Sequence, residues 1–191
     1  MPVSPTSRIG ARAATTLGAL ALAAALAMPA VPALAQTEAT PAQPTPPQPN
    51  ITRTEDFRDW KLVCGTPPGN AGAPEQCHLL QSVVVSETKR RILQAEVGDS
   101  QNGRILALTV PLGIYLPAGI EIAIDGGEKT RIPVDVCQPN GCAAALKLEG
   151  AMLNRLKNGS RAVITFQNIQ MRPIDVPLSL LGFTAGFAQV K

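Results

Sequence analysis

An export signal followed by four cysteines constrains this chain more than any other feature, because the compartment decides what the thiols become. The first 35 residues carry the three parts of a secretory signal. Arg8 and Arg12 supply a positive start, Ala13 to Met28 is uncharged and rich in Ala and Leu, and Ala33-Leu34-Ala35 offers small residues to a signal peptidase. Cleavage is expected before Gln36. The competing reading is a membrane anchor, but the apolar run is 16 residues, against the ~20 that cross a bilayer core. Pro29 and Pro32 end it at once. No cysteine lies at the cleavage point to take a lipid, and the two arginines are not adjacent as in a twin-arginine signal. No membrane anchor is expected to remain after cleavage.

Outside the cytoplasm the surroundings oxidise, so Cys64, Cys77, Cys137 and Cys142 are expected as disulfides. Zinc is the rival, encouraged by His78 beside Cys77. The spacings Cys64-x12-Cys77 and Cys137-x4-Cys142 lack the paired C-x-x-C knuckles of structural zinc sites, and they lack the redox Cys-x-x-Cys. Four cysteines allow three connectivities. Local pairing, Cys64 with Cys77 and Cys137 with Cys142, fits a hairpin in which Gln138-Pro139-Asn140-Gly141 turns the chain. On the chain-entropy view the two short loops would contribute ~3 and ~2 kcal/mol.

Removing the signal leaves 15 cationic against 14 acidic residues, a net charge of about +1. So balanced a domain has no electrostatic footprint for nucleic acid or anionic lipid. Residues 36–53 are rich in Pro, Thr, Gln and Ala, and are read as a disordered linker favouring polyproline II. The folded domain is then residues 54–191. Strands are expected at 60–64, 77–85, 91–97, 105–110, 120–124, 131–137, 162–167 and 176–181, from period-two alternation or short β-branched runs. Ile120, Ile122 and Ile124 alternate most cleanly, and Asp125-Gly126-Gly127 follows as a hairpin turn. Many short strands at this spacing predict a sandwich or barrel. Met152, Leu153 and Leu156 fall instead at helical spacing, and Asn158-Gly159 stops the helix.

Catalytic patterns are missing. His78 is the single histidine and reads as a half-buried strand residue. There is no Gly-x-Ser-x-Gly elbow and no phosphate-binding glycine loop. Glu55, Asp56 and Asp59 read as a solvated face, and Lys89-Arg90-Arg91 as the wet end of a hairpin. No enzyme activity, no cofactor and no metal are expected.

The order of several segments resembles the invasion-associated locus B family of bacterial envelope proteins. The resemblance runs through Phe57-Arg58-Asp59-Trp60-Lys61-Leu62-Val63-Cys64, Gln76-Cys77 and Val110-Pro111-Leu112-Gly113-Ile114-Tyr115-Leu116-Pro117-Ala118-Gly119. It continues through Ile124-Asp125-Gly126-Gly127, Cys137, Gly141-Cys142 and the closing 176–187 segment, where Leu181 departs from a position often basic in relatives. The resemblance implies an all-β, immunoglobulin-like β-sandwich with one short helix, disulfide-stapled, in the periplasm or at the outer membrane of a Gram-negative cell. Address, architecture and resemblance together lead to the expectation of a non-enzymatic protein whose sandwich surface or edge strand binds another envelope or host protein, linked to host-cell invasion or envelope integrity. The alternative is a periplasmic binding module for a small apolar or lipid ligand. Oligomeric state is not readable from the sequence.

Overall fold

A computed structural model describes residues 48–70, 72–101 and 103–191. The export signal, and the linker as far as residue 47, lie outside the described residues.

Alternation builds most of the long sheet. In β2 (Trp60–Thr66) the inward side is Trp60, Leu62 and Cys64, and in β3 (Gln76–Val84) it is Cys77, Leu79 and Gln81. The strand β4 (Arg91–Ser100) buries Leu93, Ala95 and Val97, and β5 (Gly103–Val110) buries Leu106, Leu108 and Val110. With β1 (Asn50–Phe57) these form an antiparallel meander. The hairpin of β8 (Val136–Gln138) and β9 (Gly141–Lys147) then joins β5, completing a seven-stranded sheet in the order β1-β2-β3-β4-β5-β9-β8.

The second sheet runs β11-β10-β6-β7, from β6 (Ile120–Ile124), β7 (Thr130–Ile132), β10 (Arg161–Gln167) and β11 (Pro173–Ser179). Ile120, Ile122, Ile164 and Leu178 meet the inward side of the long sheet in one continuous core. This is the expected immunoglobulin-like layering of two antiparallel sheets. The turn after β6 uses positive φ at Asp125 (49°) and Gly126 (74°), and the Gly127 N–H donates to the Ile124 carbonyl at 2.9 Å, a tight turn inside a five-residue connection to β7.

Besides β9, which follows the expected 138–141 turn but had no expected strand span of its own, three elements differ from the sequence expectation. The strand read at 131–137 is two strands: Pro133 cannot donate to a ladder, so β7 stops at Ile132 and the chain crosses to the other sheet before β8 begins. Strand pairing starts at Asn50, inside the segment read as linker through residue 53. The cause is exposure: residues 50–56 are all open to solvent, so β1 carries no apolar alternation to recognise. The third difference is an addition. Besides the expected helix, α1 (Gly150–Asn158), with Leu156 fully buried, a short α2 (Phe183–Phe187) covers one end of the core.

A polar clamp joins the layers. The side-chain amide of Gln81 in β3 donates to the Ser179 carbonyl (3.1 Å) and accepts from the Ser179 N–H (3.0 Å), so it pairs with β11 as a strand would. The indole of Trp60 donates to the same carbonyl at 2.9 Å.

Candidate interaction surfaces

The cysteines predicted as staples lie directly opposite one another on neighbouring strands. Cys64 in β2 faces Cys77 in β3, Cys137 in β8 faces Cys142 in β9, and both pairs are bonded. Cys64 and Cys77 also gather with Glu75 within ligand distance of one another. Their sulfurs are spent on each other, so this cluster offers no thiolate to a metal.

His78 stands on the outer face of β3. Its Nδ1 lies 2.9 Å from a Glu96 carboxylate oxygen on β4. The imidazole can lie flat because Gly98 is beneath it; a Cβ there would fall 2.7 Å from Nδ1. The hydrogen bond to Glu96 raises the His78 pKa above its ordinary 6.5, against the opposing effect of partial burial, and the Glu96 and Asp99 charges add to the rise. The same bond holds the Glu96 carboxyl below its ordinary range. Beside the pair, Ile51, Val63, Leu80, Pro67 and Pro68 line a shallow cleft of about 410 Å³, open to solvent.

A second surface lies at one end of the sandwich. The 111–119 loop crosses from β5 to β6 and is tied to the end of β10: Ile114 bridges Asn168, and the Tyr115 N–H donates to the Gln167 carbonyl at 2.8 Å. Arg131 braces the loop by donating to the Ala118 carbonyl at 2.7 Å and to that of Pro117. The β10–β11 turn winds around the Asn168 side chain, which accepts from the N–H groups of Gln170 (2.9 Å) and Arg172 (3.0 Å). Local polar groups thus satisfy the backbone, and the apolar side chains are left facing water. Ile169 is 67% exposed and Met171 62%, with Leu112, Leu116 and Tyr115 also open.

None of Ile169, Met171 or Glu96 was singled out from sequence. The signal for the first two was present, since Ile169-Gln170-Met171 sets two large apolar residues in a turn where polar ones are the norm. Of the segments carrying the family resemblance, Val110–Gly119 builds this apolar end, while 176–187 forms the clamp strand and α2. The basic run Lys89-Arg90-Arg91 sits at the exposed β3–β4 turn, which the β4–β5 register (Gln94 opposite Thr109) places at the same end of the long sheet as the start of the 111–119 loop.

The family model described as "Invasion associated locus B (IalB) protein" matches residues 60–191. The chain belongs to this family. Invasion protein B homologs of Brucella abortus, from strain 2308 and from biovar 1 strain 9-941, are each 25% identical over 142 residues, covering 73% of this chain and 80% of theirs. The crystal structure of invasion associated protein B from Bartonella henselae shares the fold with a TM-score of 0.63 at 19% identity, over 72% of this chain and 94% of that one. The invasion-associated locus B pattern therefore spans both sheets and both disulfides, and starts one element after β1. No helix among the described residues is long and apolar enough to cross a membrane.

Proposed function

We propose that this chain is a non-enzymatic, exported envelope protein that binds another protein through the apolar end of its sandwich, in support of host-cell invasion or envelope integrity. The observation that carries this reading is the display of Leu112, Tyr115, Leu116, Ile169 and Met171 on two braced turns at the same end. Exposed apolar side chains grouped on fixed backbone suit a preorganised docking surface. Kinship to invasion proteins and the expected export signal agree with an envelope address. His78 fits a structural role, because its Nδ1 is held by Glu96. The rival reading, a binding module for a small apolar or lipid ligand, would use the cleft beside His78, which is open and shallow where such ligands favour enclosure.

The test is crosslinking in intact envelopes followed by recovery of the protein with its partners. The parent should bring down a defined protein that Ile169→Asp with Met171→Asp loses, while the melting temperature stays near the parent's. Recovery of the same partner by the double variant, or of a co-purifying lipid and no protein, would overturn the proposal.

A further inference from the structure

Among the described residues, three of the four sheet edges are closed or brief. In β11 the outward-facing row is Pro173, Asp175, Pro177 and Ser179. Two of these lack an N–H, and that of Ser179 is taken by Gln81, so the edge offers little to a new strand. At three residues each, β7 and β8 are too short to template much. The fourth edge, β1, is eight residues long and free of proline, and Asn50 to Asp56 are exposed on it. No strand lies on its far side among the described residues. Its Phe57 end is covered, where a Cβ on Gly182 would fall 1.9 Å from the Phe57 carbonyl oxygen.

The side chains of this edge complement themselves. Arg53 and Glu55 stand opposite Cys64 and Leu62 of β2, so both project on the same face, with Thr54 between them on the other. Place a second copy antiparallel about a twofold axis through Thr54. Arg53 then faces Glu55 of the second copy, Glu55 faces its Arg53, and Thr54 faces Thr54. Cross-strand opposite charges and Thr–Thr pairs are both favourable neighbours. Moving the axis one residue either way sets Arg53 against Arg53 or Glu55 against Glu55, so charge selects the register. Within one copy Arg53 and Glu55 approach only to 4.0 Å with both half exposed, a contact weak enough to exchange. The bulge between Ile51 and Arg53 ends the regular ladder and keeps the contact short.

We propose that two copies of this protein pair through their β1 edges, antiparallel about Thr54, joining their long sheets into one. The partner is a second copy because the edge pattern is its own complement. So short a contact gives a weak dimer, below the size class of stable interfaces.

Sedimentation equilibrium of the exported, oxidised protein up to about millimolar concentration tests this. The parent should self-associate. Arg53→Glu alone and Glu55→Arg alone each replace two attractive contacts by two repulsive ones and should weaken the dimer roughly tenfold. Arg53→Glu combined with Glu55→Arg should restore it, and the milder Glu55→Gln should weaken it by a smaller factor. A monomer at every concentration, a dimer indifferent to the single reversals, or one that the double reversal fails to restore overturns the proposal.

Discussion

Ser179 is the residue on which the two layers lean. Its carbonyl accepts from Trp60 and Gln81, its N–H donates to Gln81, and its hydroxyl donates to Asp59 at 2.5 Å. A polar staple at a layer junction needs every partner, because a buried amide left unpaired costs about 1–3 kcal/mol. His78 and Glu96 form a pair of another kind, set on the surface and dependent on pH. Since the His78 pKa is raised above 6.5 in the fold, its contribution is complete below that pH and is lost as pH climbs through the raised value. Glu96 is lowered below its ordinary 4.5, so its contribution is complete above that pH and is lost on acidification through the lowered value. The pair therefore stabilises most between 4.5 and 6.5. Urea midpoints measured from about pH 6 to 8.5 should fall for the parent, and His78→Gln should remove the part of the fall that belongs to this pair. A variant with the parent's full pH slope would show that the pair contributes nothing. The sequence placed His78 on a half-buried strand, and it lies there. Its acidic neighbour was hidden because Glu96 is 18 positions away and reaches it only across a ladder.

At the scale of elements, α2 shows how packing makes a helix that propensity would not. Five residues cannot hold an isolated helix in water. Phe183 is fully buried, with its ring 5.3 Å from that of Trp60 in an edge-on arrangement and 5.6 Å from that of Phe187. Arg104 and Lys157 place their cations 4.8 and 4.7 Å from the Phe187 ring, contacts worth about 0.5–1 kcal/mol each where exposed. Phe183→Ala should cost about 3–5 kcal/mol in chemical denaturation, since it removes the anchor of α2 and uncovers Trp60. A loss under 1 kcal/mol would mean that the end of the core closes without it. Strands whose alternation reflects burial on one side were readable, and β6 coincides with its expected span. The readings failed at β1, which is exposed on both faces, at β7 and β8, where one short run feeds two sheets, and at β9, which no expected strand covered.

Across the whole molecule, the disulfides fall near opposite margins of the long sheet. Cys64–Cys77 joins β2 and β3 beside the open β1 edge, and Cys137–Cys142 closes the β8–β9 hairpin at the other. Replacing Cys64 and Cys77 together by Ala should lower stability by about 3 kcal/mol, and replacing Cys137 and Cys142 by about 2 kcal/mol, following the lengths of the loops they close. The first loss should be the larger also because Cys64 and Cys77 are both buried and leave unfilled volume, whereas Cys137 is exposed. Thermal unfolding of the two double variants checks the order, and an unchanged midpoint in both would deny the cysteines any stapling role. The sequence by itself determined the features that are local: an even cysteine set with hairpin spacing, alternation in the one-sided strands, the Asp125-Gly126 turn and the ordered segments of the family. Only the tertiary structure decided which strands share a sheet, that Gln81 completes β11, that β1 is an open edge, and that the 111–119 loop meets Ile169 and Met171. Each of these joins residues far apart in the chain. Their proximity follows from ladder register and from burial against a common core, and no local pattern encodes it.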